Sequence, residues 1–198
     1  MIGGGLVPGS IMEIYGDEAA GKSALALLYA NDFALKYGPG TSYIEDAERV
    51  YSERDFSSCP HIGGMASVVH PVSLEKTGAL VSSRLKAGNL GLVDIDSCAA
   101  MLPESDIKGY LGDGRFDRQG EKIVRTVKHW KTIQGDARLI LVNQRRNKKT
   151  RHKATGVCED NTSGGAALYR ISDIRLDVRV DALIKDQGSR DIVGQIVN

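Results

Sequence analysis

Cysteine is scarce and poorly placed for chemistry. The 198-residue chain has three, Cys59, Cys98 and Cys158, far apart, odd in number and without C-x-x-C spacing. The expectation therefore excludes a disulfide framework and a zinc site. The four histidines, His61, His70, His129 and His152, form no ligand-like cluster either. No apolar run reaches the length of a bilayer span, and the first residues lack a secretory pattern. A reduced, cytoplasmic setting without a membrane partner is expected. Net charge is also nearly missing, because 26 basic residues meet 25 acidic ones to leave +1. Overall charge thus points to no partner, but its distribution does. Six of the 26 basic residues, Arg145, Arg146, Lys148, Lys149, Arg151 and Lys153, fall within nine positions. Without those six, 20 basic residues stand against 25 acidic, so a mildly acidic body carries one basic segment. Such a run is either a solvated surface loop or a nucleic-acid patch.

What is present is organised around one stretch. Gly16, Asp17, Glu18, Ala19, Ala20, Gly21, Lys22 and Ser23 read G-x-x-x-x-G-K-S, the phosphate-binding loop of nucleotide hydrolases. The apolar run at 11–15 before it reads as a strand. From Ala24 to Leu35 the chain is dense in Ala and Leu and reads as a buried helix. The chemistry needs this order. A strand delivers the chain to a tight turn, glycines let backbone approach the phosphates, and the helix start offers N–H groups and a positive dipole end. Lys22 adds a point charge for the terminal phosphates, and Ser23 a hydroxyl for the accompanying Mg2+. The expected cofactors are ATP and Mg2+.

The rest of the chain alternates strands and helices. Strands are expected at 41–45, 66–70, 90–96, 137–142, 174–180 and 192–197, and helices at 73–86, 121–134 and 166–171. The 41–45 strand runs into the acidic cluster Glu45, Asp46, Glu48, and strand ends face the ligand crevice in open α/β sheets. The 90–96 strand ends at Asp96, placed to hold Mg2+ through water. Asp94 puts a second carboxylate inside a strand that should be buried. Two long polar loops are expected, at 102–120 and 145–165, and Trp130 is expected in the core. The pattern is α/β: one domain over 1–198 with a mainly parallel central sheet flanked by helices and antiparallel strands at one edge.

Several segments together resemble the core ATPase domain of the RecA recombinase family. They are Gly3-Gly4-Gly5-Leu6, the strand and phosphate loop at 11–23, Asp46-Ala47-Glu48, Asp96 to Pro103 (D-S-C-A-A-M-L-P), Val142-Asn143-Gln144, and Thr162 to Leu168 (T-S-G-G-A-A-L). Their order and spacing match from the first glycines to the chain end. The resemblance implies a P-loop NTPase fold of RecA type and a role for each matching position. Lys22 and Ser23 would bind phosphates and Mg2+, within a nucleotide site running from Gly16 to Ala24. Glu48 would activate water, Asp96 would lie near Mg2+, and Gln144 would sense the terminal phosphate. The segments at about 103–120 and at 145–165 would be the family's two DNA-binding loops. That placement makes the basic run an expected single-stranded DNA contact, with Gly164, Gly165, Arg115 and Phe116 beside it.

Departures from the family pattern shape the functional expectation. The family's N-terminal docking element and further C-terminal domain are expected to be missing, the chain being either a naturally minimal relative or the core segment of a longer protein, and residues 191–198 contain no Lys or Arg where the family places interfacial lysines. Self-assembly into a filament or ring is expected to be weakened accordingly. The second loop has no Phe, Trp or Tyr between Arg145 and Leu168, so Phe116 is the stacking candidate. Tyr51 and Phe56 lie near the family's adenine-contacting position. The main expectation is a DNA-dependent ATPase of recombination and repair. The alternative is an ATP- and DNA-binding module, or a recombinase partner, with little turnover.

Overall fold

The computed structural model describes residues 5–38, 41–62, 68–108, 119–151, 158–185 and 192–197. Its centre is a sheet of six parallel strands in the order β3-β2-β4-β5-β1-β7. These are β1 (Ile11–Gly16), β2 (Ser42–Asp46), β3 (Val68–Val69), β4 (Leu92–Asp96), β5 (Arg138–Arg151) and β7 (Ile174–Val178). Neighbouring residues in a strand point to opposite faces, and here both faces are covered. Met12, Ile14, Ile44, Leu92, Ile140 and Val142 belong to one apolar cluster, with α1 (Lys22–Tyr37) and α2 (Glu53–Ser57). Ile11, Tyr43, Val93, Ile95, Leu139 and Leu141 belong to the other, with α3 (Leu74–Ala87), α5 (Gln119–Ile133) and α6 (Gly165–Ile171). Trp130, fully buried in the second cluster, packs as expected. Because the strands are parallel, β1, β2, β4 and β5 all end at one edge, and the functional segments gather there.

Three features differ from the sequence-based expectation. Two five-residue helices, α2 and α4 (Glu104–Lys108), are too short to show a period in sequence. Ser52 starts α2 through a reciprocal capping box with Asp55. The stretch expected as a loop at 145–165 is instead a hairpin. β5 continues past the sheet to Arg151 and pairs antiparallel with β6 (Cys158–Thr162), Arg145 opposite Thr162 and Arg151 opposite Cys158. Backbone pairing needs no apolar side chains, so a strand this polar leaves no hydrophobic signature. The expected antiparallel edge takes a different form. β7 joins the edge in parallel with β1, while β8 (Val180–Lys185) and β9 (Ile192–Val197) make a separate antiparallel pair. No helix among the described residues is long and apolar enough to cross a membrane.

The acidic cluster after β2 divides among three environments. Glu45 shares the Tyr43 face and accepts a hydrogen bond from the Tyr43 hydroxyl at 2.6 Å. Burial pushes its carboxyl up from 4.5 to about 7, against the Tyr43 bond and the Arg84 charge, which hold it down. The folded chain therefore keeps a proton that the unfolded chain releases. This stabilisation is full below about pH 4.5 and is lost as pH rises through about 7. Glu45→Gln is expected to flatten the stability profile, removing about 2 kcal/mol of the difference between pH 5 and pH 8. Urea unfolding of both proteins at the two pH values checks this, and an unchanged difference would refute it.

Candidate functional site

β1 ends at Gly16, where the chain must turn beside β7. An added Cβ there would sit 2.1 Å from the Val178 carbonyl oxygen, so only glycine fits. Asp17, Glu18 and Ala19 follow as exposed loop residues, and Ala20 is buried. Gly21, left-handed with φ 90°, caps α1. The helix then begins at Lys22, and Ser23 and Ala24 occupy its first turn. Residues 18–24 form one wall of a cleft of about 420 Å³. Glu48, Asp96, Ser97 and Gln144 form the opposite wall. The fold thus brings together the residues expected to bind the nucleotide, activate water, hold metal and sense phosphate.

Electrostatics inside the cleft centre on Lys22. Its side chain folds back, donating from Nζ to the Asp17 carbonyl at 2.6 Å. Burial pulls its pKa down, and Asp96, Glu48, Asp17 and Glu18 pull it up. Across the cleft, Glu48 Oε1 accepts from Gln144 Nε2 at 3.2 Å and from the Ser97 hydroxyl. Arg49, with φ 56°, turns the chain directly after Glu48. Asp46, which the sequence placed in the same acid cluster, is not among the residues lining the cleft. Its carboxylate accepts the Val50 and Tyr51 N–H groups at 3.0 and 3.1 Å.

Asp96 is buried, and the ends of β2 and β4 set it opposite Asp46 in the sheet register. Burial raises its pKa, as do Glu48 and Asp46, while hydrogen bonds from Ser23 and Tyr51 lower it. A hydroxyl and a carboxylate in one cleft are the hard oxygen donors that suit Mg2+. These residues fit the cation, and both line the cleft. Asp94, two residues back on the same strand face, is fully buried, and neither of its oxygens has a hydrogen-bond partner among the described residues. Burial and its acidic neighbours push its pKa well up, so the neutral acid is favoured.

A polar chain links the cleft to the hairpin. Asn143 Oδ1 accepts from the Gln144 N–H at 3.0 Å and the Ser163 N–H at 3.3 Å. Its Nδ2 donates to the Ser163 carbonyl and to Glu13 Oε1, both at 2.9 Å. Glu13, fully buried, also accepts from Thr162 Oγ1 at 2.7 Å and Arg175 Nε at 2.6 Å. The sequence pattern assigned Glu13 no role, although a carboxylate inside an apolar strand was a visible signal. Ser97 gave no signal of its own. Its contact with Glu48 depends on two segments 49 residues apart.

The expected DNA-contact residues fall into four groups. Arg145 is turned back to the cleft edge, paired with Asp177 and 3.7 Å from Asp17. Arg146, Lys148, Lys149 and Arg151 lie along the β5 extension. Gly164 and Gly165 start α6 at the hairpin base. Gly164 is left-handed at φ 95°, and a Cβ there would press to 3.0 Å from Leu168 Cβ. A Cβ on Gly120 would lie 3.4 Å from the Gly164 nitrogen, so the ends of the two expected DNA loops touch. Arg115, Phe116 and Lys153 lie outside the described residues. Tyr51 and Phe56, near the expected adenine position, are both buried.

With this geometry in place, the likeness to known proteins is specific. A family model described as the RecA N-terminal domain matches residues 1–198. The chain is 31% identical to Protein RecA of Mycoplasma pneumoniae over 192 residues, covering 93% of this chain and 54% of that protein. It is 32% identical to the mitochondrial DNA repair protein recA homolog 3 of Arabidopsis thaliana over 188 residues, covering 92% and 42% respectively. With Protein RecA of Chlorobium limicola it shares 33% identity over 191 residues, 92% of this chain and 51% of that protein. The chain spans about half the length of these curated relatives.

Proposed function

This chain belongs to the RecA family, and from that premise we propose that it is an ATP-dependent, single-stranded-DNA-binding ATPase of recombinational DNA repair. The observation that carries this reading is the contact of Gln144 with Glu48. It joins the water-activating carboxylate to the residue at which β5 leaves the sheet for the basic hairpin.

In this reading the ATP phosphates lie against residues 16–24, and Lys22 leaves the Asp17 carbonyl for the terminal phosphate. Ser23 and Asp96 would hold Mg2+, which would neutralise phosphate charge. The base and ribose enter the adjoining cavity of about 530 Å³, which shares Ser23, Ala24 and Val50 with the cleft and has Arg54 and Asp55 on its wall. Glu48 orients and deprotonates the attacking water. Gln144 exchanges Glu48 for the terminal phosphate, and Asn143 carries that shift to Ser163 and the hairpin base. ATP and DNA then favour the same arrangement of one segment.

The second reading, a binding module with little turnover, is favoured by the exposure of Glu48 and Gln144. In a single chain the reacting side of the cleft stands open to water. A second copy packed beside it along DNA, in a filament or ring, closes that side. ATP hydrolysis with and without excess single-stranded DNA tests the proposal. Clear stimulation supports the ATPase, DNA binding without turnover supports the module, and absence of both overturns each.

A further inference from the structure

The Tyr51 hydroxyl holds a place that neither reading uses. The residue's backbone N–H is fixed on Asp46 Oδ2, and its ring lies 6.1 Å from that of Phe56. The residue is 8% exposed, and its ring borders the adjoining cavity only at that margin. What it delivers is a hydroxyl at a set point. That hydroxyl donates to Asp96 Oδ2 at 2.8 Å, with the Ser23 carbonyl 3.2 Å away. A phenol has one proton to give, and the shorter contact, to an acidic oxygen, takes it.

We propose that Tyr51 is the positioning residue of the divalent-cation site, pinning the Asp96 carboxylate against Ser23 before the cation arrives. The inference rests on the reading of Ser23 and Asp96 as the metal-holding pair. A carboxylate at the end of a strand can swing about its terminal bond. Asp96 also has two acidic neighbours, Asp94 on its own strand and Asp46 across the register. Tyr51 offers a neutral donor against that acidic surrounding, from a ring held at both its backbone and its face. Partners of this kind fix ligand orientation and commonly change metal affinity by about tenfold or more when lost.

Tyr51→Phe removes one oxygen and keeps the ring packed on Phe56. The measurement is Mn2+ affinity of the ADP-bound chain, from the electron paramagnetic resonance of free Mn2+. ADP affinity in EDTA and thermal melting are recorded beside it. The expected result is Mn2+ binding weakened about tenfold, with metal-free ADP affinity unchanged. In an Asp96→Asn background the same substitution should add nothing. Wild-type Mn2+ affinity in Tyr51→Phe overturns the proposal, as does an equal loss of Mn2+ and metal-free ADP binding, which marks a purely structural role. Asp96→Asn and Ser23→Ala separate the two levels. If both weaken Mn2+ binding and Tyr51→Phe does not, only the Tyr51 inference falls. If neither does, the metal assignment falls with it.

Discussion

Lys22→Ala is expected to abolish ATP hydrolysis while leaving the fold intact. The cleft is rich in negative charge: Asp17, Glu18, Glu48 and Asp96 all act on the Lys22 ammonium. A triphosphate brings more. Without Lys22 the terminal phosphate meets carboxylates with no side-chain cation from the loop. Loss of a single preorganised donor at a developing charge commonly costs about 10²- to 10³-fold in turnover. Here a full charge is lost, so turnover should drop by at least about 10²-fold, with weaker ATP binding as well. Folding should be spared. The helix is anchored by Ala26, Leu27, Ala30 and Ala34, and alanine is the better helix former at its first position. Circular dichroism melts should match the wild type within a few degrees, whereas steady-state hydrolysis should fall to background. Wild-type turnover in a folded variant would remove the nucleotide site from this cleft. Lys22→Arg should fail too, because a planar guanidinium does not replace a compact ammonium on a short tether.

Neutralising the hairpin is the second large effect. Replacing Arg146, Lys148, Lys149 and Arg151 by alanine should weaken single-stranded DNA binding by about two orders of magnitude near 0.1 M salt. The plot of log affinity against log salt should also flatten, because each phosphate neutralised on a single strand contributes about 0.7 to its slope. Four lost contacts reduce the slope by about 3. Arg145 is left out for a structural reason. It pairs with Asp177, which Arg179 also contacts at 2.7 Å, and it approaches Asp17 of the phosphate loop. Arg145→Ala should therefore disturb the edge of the nucleotide site more than the salt slope. Fluorescence anisotropy of a labelled oligonucleotide across a salt series measures both quantities. Unchanged affinity and slope in the fourfold variant would move the DNA surface away from the hairpin.

Much of this is legible in the residues alone, and the reasons differ by element. The phosphate loop is a local device: its glycines, its Lys22 and its helix follow one another along the chain, so spacing carries the geometry. Strands of a parallel sheet, buried on both faces, announce themselves as apolar runs. Asp96 closes such a run, while the roles of Glu48 and Gln144 come from the family resemblance of the segments that carry them. The hairpin is hidden because β5 beyond Gln144 and β6 are polar throughout and are held by backbone pairing. The helices α2 and α4 are hidden by their length, since five residues make little more than one turn.

Sequence by itself determined the class of the molecule: an α/β nucleotide-binding fold with a single phosphate loop, acidic strand ends and one concentrated basic segment. These depend on residue type and short-range order, which the chain carries directly. Only the tertiary structure decided which acids do what. Glu45, Asp46 and Glu48 lie within four positions, yet one is buried against Tyr43, one caps the turn before α2, and one reaches the cleft. It also turned Arg145 inward, joined Ser97 to Glu48, and delivered the Tyr51 hydroxyl to Asp96. The last three contacts join segments 32 to 49 residues apart in the chain. Their distances depend on sheet order and strand register, quantities that packing of the whole core sets and that no local pattern of residues encodes.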